Sequence, residues 1–275
     1  LIDASANADQ QVKNYSVIAL GQVGGRPGTG DDPLVGQEAV RKYLLTTLAR
    51  GKTQVKPWAG LALGVMERGM LEANLEQNDS VLEALQASLK DTRTKREVGA
   101  YALALGIAGN NEAESILLEK MDKMADDEVR GYIAVGLGLM SSGTAIEPIQ
   151  KVVTESKYRA DLLKQAAIAL GLLGDKNVVT SLTTMLKEAK TLSTQAAIAS
   201  ALGFIGDSRS VDPLVDMLGD QDLTGAARGF AAVALGIVAE KETLPWNAKF
   251  SVDINYRANT TTLTGDNGTG LLDIL

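Results

Sequence analysis

The residues that usually carry catalysis are missing from this chain. Its 275 residues contain no cysteine and no histidine, although Asp and Glu number 34. Thiolate chemistry is therefore excluded, and so are the commonest general base and the commonest nitrogen ligand for metals. Serines and threonines are plentiful, but no imidazole is available to activate one, and no lysine is placed in an obviously apolar run beside a serine. The densest acid cluster, Asp126-Asp127-Glu128, precedes a helical apolar stretch, where carboxylates complement the positive end of a helix dipole. Asp266-Asn267-Gly268 falls short of a calcium-binding loop. The glycine-rich run Gly24-Gly25-Arg26-Pro27-Gly28-Thr29-Gly30-Asp31-Asp32-Pro33 invites a phosphate-binding reading. No Gly-Lys-Ser/Thr follows it and no strand precedes it, so it reads as a flexible insertion. The residues thus predict no catalytic, cofactor-binding or metal-binding set. Basic residues recur eight positions before a repeated glycine, at Lys13, Lys56, Arg130 and Arg228. They are expected to form an outer ladder paired with acids of the preceding corner.

The elements that position these residues are set by seven Leu-Gly marks, ending at Gly21, Gly64, Gly106, Gly138, Gly171, Gly203 and Gly236. Successive glycines are 43, 42, 32, 33, 32 and 33 residues apart. A period in the low thirties is the signature of a stacked-repeat array. Residues 159–190 show the unit best. Ala160 to Leu173 is apolar almost all round, as befits a helix packed between neighbours. Gly174 is placed to end it in a left-handed conformation, and Asp175 to cap the next helix. That second helix is amphipathic, with Val178, Val179, Leu182, Met185 and Leu186 on one face. Glycine inside a helix costs roughly 1 kcal/mol relative to alanine. Its recurrence at seven equivalent positions predicts that each meets a neighbouring backbone too closely for a Cβ.

The unit resembles the bacterial HEAT-like repeat of the phycobilisome-lyase type. The likeness rests on Gln165-Ala-Ala-Ile-Ala-Leu-Gly171-Leu-Leu-Gly-Asp175 and Ala199-Ser-Ala-Leu-Gly203-Phe-Ile-Gly-Asp207, and covers roughly residues 9 to 240. It implies an α-α superhelix and says little about activity, because such proteins include scaffolds, lyase subunits and iron-dependent hydroxylases. The hydroxylases use paired His-Glu motifs, which a histidine-free chain cannot supply.

The expected fold is all-α, a HEAT-like solenoid of about 6.5 helix pairs over residues 1–241, with a short C-terminal β tail over residues 242–275. Phe250, Val252, Ile254 and Tyr256 alternate with polar residues, the pattern of a strand. This tail is read either as a cap on the last packed helix or as a strand that pairs with another chain. The first two units are about ten residues longer than the others, and the excess at Arg68 to Ser80 is expected to hold an extra helical turn.

Candidate contact residues lie on the second helices: Ser115, Glu119, Glu147, Gln150, Lys151, Thr180, Thr184, Asp212 and Asp216. HEAT-like arrays normally turn the second helix to the concave side, so these residues are expected to form a polar, net acidic track for a protein partner. A net charge of −7 and a pI near 4.8 oppose binding to phosphate backbones, so nucleic acid is not an expected partner. The longest apolar stretch, Gly229 to Ala239, is too short to span a bilayer. The main reading is a non-enzymatic protein–protein interaction scaffold without cofactors. The alternative is a lyase-type or chaperone-like subunit holding a small ligand such as a tetrapyrrole in its concavity. That alternative demands exposed aromatics and cations for propionates, which the second helices lack. Cell compartment and oligomeric state stay open, and a start at Leu1 fits an exported or a shortened chain equally.

Overall fold

The computed structural model describes residues 1–3 and 9–241. Among them are thirteen α-helices: α1 Gln10–Gly24, α2 Gln37–Arg50, α3 Lys56–Glu72, α4 Asp79–Asp91, α5 Lys95–Ala108, α6 Glu114–Lys123, α7 Asp127–Leu139, α8 Ile146–Glu155, α9 Ala160–Leu172, α10 Val178–Glu188, α11 Leu192–Ile205, α12 Val211–Gly219 and α13 Gly225–Lys241. Six pairs and one extra helix stack as the repeat predicts. The expected β tail over residues 242–275, with its strand through Phe250 and Tyr256, lies outside the described residues.

Every odd-numbered helix carries one of the seven glycines. These helices pack directly on one another in an unbroken row, α1 on α3, α3 on α5 and onward to α13. Five of the six inner contacts follow one rule: the glycine meets the residue two places before the next repeat's glycine. A Cβ on Gly21 would strike the Ala62 backbone, one on Gly64 the Ala104 backbone, and one on Gly106 the Gly136 backbone. Gly138 meets Ala169 and Gly203 meets Ala234 in the same way, while Gly171 meets Ile205. Six of the seven in-helix glycines therefore serve close approach, five of them to backbone, while Gly236 departs from the expectation and meets nothing within 4 Å among the described residues.

The helix ends follow local chemistry. Asp9, Asn78, Asp126 and Thr191 cap α1, α4, α7 and α11 by accepting a backbone N–H from three residues ahead. Gly109, Gly174 and Gly206 take left-handed φ values of 71°, 73° and 68° at the corners. Ser141 holds the equivalent corner at φ 61°, and α3 runs on past its own corner position, Glu67, to a left-handed Asn74. That run-on is the extra turn expected in the second insertion. Asp175 accepts the Asn177 N–H across a turn, and the α10 helix starts one residue later.

Four corners also bury a polar residue held by the preceding unit. Gln86 donates to Asn110 at 2.8 Å, Gln150 donates to Asp175 at 2.6 Å, and Ser142 donates to Glu114 at 2.7 Å. Asp207, 4% exposed, takes Arg209 Nε at 2.8 Å and faces Lys176 across 3.7 Å. The apolar core runs continuously between these corners, from Val17 and Leu20 through Leu105, Leu137 and Leu170 to Ala234 and Val238.

A candidate ligand groove on the inner row

The two rows of helices differ in spacing, and that difference decides which face is concave. Odd-numbered helices touch backbone to backbone, whereas no two even-numbered helices make more than marginal contact. The shorter-spaced row lies inside a curved stack. The glycine-bearing helices therefore form the inner row and the second helices the outer one, the reverse of the sequence expectation.

All nine expected contact residues consequently sit on the outer row. Eight of them are exposed and Gln150 is half-buried by its bond to Asp175. Glu119 is paired with Lys123 at 2.5 Å, and Lys151 stands 3.9 Å from Glu155. Thr184 donates to the Thr180 carbonyl within its own helix. The structure brings only Glu147, Gln150 and Lys151 into a common recess, an outer groove of about 790 Å³ between α6 and α8. Ser115 and Glu119 belong to α6 but do not line it, while Thr180, Thr184, Asp212 and Asp216 stand on later helices.

The expected basic ladder forms differently too. Arg228 donates to the Leu218 carbonyl and to Gln221 rather than to an acid, and Arg130 Nε is buried without a partner among the described residues. Cations from other positions tie the units together: Lys95 to Asp126 at 2.6 Å, Arg159 to Asp127 at 2.9 Å, and Lys157 to Glu188 at 2.5 Å.

The inner row presents a different set of side chains. Six residues before the glycine the position is aromatic in four of seven units: Tyr15, Trp58, Tyr132 and Phe230. Three before, it is aliphatic in six, including Ile18, Leu61, Leu103 and Val135, most of them half-exposed. Spacings of three and four put these columns on one helix face. The sequence reading passed over this column because it aligned polar residues on the other helix. Counting back from each glycine in search of aromatics would have found it, since it takes four of the eleven aromatic residues in the chain.

Across α1, α3, α5 and α7 this face opens into a groove of about 860 Å³, within the usual size range of small-molecule sites. Pro57, Trp58, Leu61, Ala100 and Leu103 make its apolar floor, and Tyr132 forms a wall. Tyr132 leans over Gly99, where a Cβ would lie 2.9 Å from the ring. Its hydroxyl donates to Glu128 across 3.3 Å, and burial beside that carboxylate holds its pKa above the usual phenol value. Trp58 meets Tyr15 edge-on at 6.2 Å between centroids. With the Asn14 amide turned so that its oxygen faces the indole, Trp58 Nε1 donates to it over 3.1 Å.

Cations stand at the groove mouth. Lys95 is fixed by Asp126, whose hydrogen bond raises the lysine pKa and lowers that of the carboxyl. Arg96, exposed and in the next position, has no hydrogen-bond or ion-pair partner among the described residues. Aromatics with adjacent cations are the features that the lyase-type alternative required, and the inner row carries them, with Trp58 and Tyr132 half-buried in the groove and Tyr15 exposed beside it.

Comparison with known proteins agrees with the fold. The family model for the PBS lyase HEAT-like repeat matches residues 194–220, which span α11 and α12. The bilin biosynthesis protein PecE of Mastigocladus laminosus is 33% identical over 101 residues, 35% of this chain and 38% of its own length. The PecE protein of Nostoc sp. (strain PCC 7120) is 32% identical over 98 residues, 34% of this chain and 39% of its own length. The chain thus matches less than two fifths of the length of these curated relatives. A structure of the complex of CpcE and CpcF of phycocyanin lyase from Nostoc sp. PCC7120 aligns with 86% of this chain and 92% of its own, with a TM-score of 0.50 and 17% identity. The protein is a HEAT-like repeat solenoid. Among the described residues no helix is long and apolar enough to cross a membrane.

These likenesses correct the expectation of a chain outside enzymology. The similar chains are bilin biosynthesis proteins and part of a lyase complex. The expectation rested on finding no nucleophile paired with a base. That criterion misses proteins that contribute to a reaction by holding the substrate.

Proposed function

We propose that this chain is a lyase-type subunit that holds a linear tetrapyrrole in the inner groove and acts together with a protein partner. One observation carries the reading: Trp58, Leu61, Leu103 and Tyr132 make an apolar, aromatic trough with Lys95 and Arg96 at its mouth. A bilin is a chain of flat conjugated rings bearing two propionates. Its rings suit the trough, and a carboxylate suits the planar fork of Arg96, whose donors are free for a two-point contact. Lys95, held by Asp126, adds positive potential without swinging away. Glu128 stands beside the trough as an acceptor for pyrrole N–H groups. The chain contains no cysteine, so it holds the pigment without a thioether bond. Its share of the work is to bind, extend and shield the bilin, while the nucleophile that receives the pigment belongs to another protein. The names of the similar chains support this reading.

Titration of the protein with biliverdin or phycocyanobilin tests it, followed by bilin absorbance, induced circular dichroism and tryptophan quenching. Saturable binding is expected, weakened at least tenfold by Trp58→Ala and by Arg96→Glu. Asp216→Lys on the outer row should leave it unchanged. Equal affinity in wild type and both groove variants would refute the assignment.

A further inference from the structure

The outer recess between α6 and α8 recurs farther along the stack, between α10 and α12, with its charges changed. Lining residues of the two correspond at a spacing of 65, the distance from Gly138 to Gly203. Met121, Pro148 and Val152 wall the first recess where Leu186, Pro213 and Met217 wall the second. The charged positions do not match. Arg130 and Lys151 in the first stand against Gln195 and Asp216 in the second, and Asp122 stands against Lys187. The first recess holds about 790 Å³ and the second about 210 Å³. The wider copy is the one with cations on its floor.

The floor residues also differ in what they hold. Gln195 Nε2 donates to the Ala189 carbonyl at 3.0 Å, at the end of α10. Arg228, in the same column of α13, donates from Nε to the Leu218 carbonyl in the last turn of α12. Each side chain thus satisfies a carbonyl that the preceding outer helix leaves without an intrahelical partner. Arg130 makes no such bond. It is half-buried, its Nε is sealed from solvent, and its guanidinium has no hydrogen-bond or ion-pair partner among the described residues. A charge drawn partly out of water and left unpaired is costly, and a carboxylate matches the planar fork best. Lys151 adds a second cation, 3.9 Å from Glu155. Asp122, Glu147 and Glu155 stand exposed around the mouth.

We propose that the recess between α6 and α8 seats a glutamate of a partner protein, its carboxylate on Arg130 and Lys151, presented by a segment whose flanking residues are lysine or arginine. Met121, Pro148 and Val152 receive the methylene stem. The three rim acids receive the flanking cations, so the charge pattern of the recess, basic within and acidic around, selects the reverse pattern in its occupant. A phosphate dianion would meet the same rim acids as repulsion, and a free small acid would leave them unanswered. The site lies on the outer row, away from the bilin trough.

Fluorescence anisotropy of the full chain with a labelled peptide, Lys-Lys-Glu-Leu-Lys-Lys, tests it, beside the same peptide with glutamine for glutamate. General attraction to an acidic protein would favour the glutamine peptide, which is the more positive of the two. A seated carboxylate should instead make the glutamate peptide bind roughly fivefold more tightly, the worth of one accessible ion pair. Arg130→Gln installs the side chain that the same column carries at Gln195, and Lys151→Asp changes an exposed residue to the one at Asp216. Circular dichroism checks that both keep their helix content. Each should erase most of the preference for glutamate, whereas Arg228→Gln should leave it intact. Three outcomes would overturn the proposal: no preference for the glutamate peptide in wild type, an undiminished preference in Arg130→Gln and Lys151→Asp, or N-acetylglutamate binding as tightly as the peptide. The titration contains no bilin, so failure here leaves the inner-groove reading standing, and failure there leaves this one.

Discussion

Glu67 shows how one residue can be conspicuous in the sequence while its role is set by folding. It stands where other units place a corner glycine, so the sequence marks it as an exception without saying how the exception is accommodated. In the structure α3 continues through it, leaving the carboxylate fully buried with one oxygen accepting the Asn78 N–H at 2.7 Å. Its other oxygen has no partner among the described residues. Burial raises its pKa above 4.5, opposed by the Asn78 hydrogen bond and by Arg41, and reinforced by Asp79. A folded-state pKa above the unfolded value favours the native protein most below about pH 4.5, and the benefit fades as pH climbs through the raised value. Glu67→Gln should therefore melt close to wild type at pH 4 and above it at pH 8. Two melting curves that keep a constant separation across that range would contradict the assignment. The same contrast holds for the groove. Trp58 and Arg96 were visible as residue types, but only the folded face shows that Leu61 and Tyr132 join them.

At the level of elements, the glycine spacing made the odd-numbered helices legible almost residue by residue, and the corner glycines at 109, 174 and 206 took the conformation their positions implied. The side of the curve on which each row lies was not legible. Curvature comes from the difference in spacing between two rows, and no single helix encodes that difference. The glycines now separate into two classes with opposite substitution behaviour. A Cβ on Gly106 would lie 2.7 Å from the Gly136 Cα, so Gly106→Ala should destabilise the fold by about 1–3 kcal/mol. Gly236 has open space around it among the described residues, so Gly236→Ala should leave the monomer unchanged or stabilise it by up to about 1 kcal/mol. Chemical denaturation at low protein concentration measures both, and a similar loss in the two variants would show that the seven glycines are equivalent after all. The outer row invites its own experiment. If a partner docks there, Glu147→Lys with Asp212→Lys and Asp216→Lys should abolish its capture without touching the proposed bilin binding.

For the whole molecule, stability is passed from unit to unit, because each repeat touches only its neighbours. Hydrogen exchange should accordingly be slowest in α5, α7 and α9, whose Ala102, Leu105, Leu137 and Leu170 are fully buried, and faster in α1 and α13. Uniform protection along the stack would show that it unfolds as one unit. The overall architecture could be read from 275 letters because a repeat states its rule seven times. The proposed function could not, because holding a ligand leaves no signature comparable to a nucleophile with its base. The closeness of the inner helices has a mechanical consequence. Where main chains abut at glycine there are no long side chains to reshuffle, so the inner edge behaves as the bound spine of a book. The outer helices, barely touching sideways, are its leaves. Flexing the stack fans the recesses on the outside while the floor beneath Trp58 keeps its shape, so a protein gripping the leaves can set the bow of the spine without disturbing what rests against it.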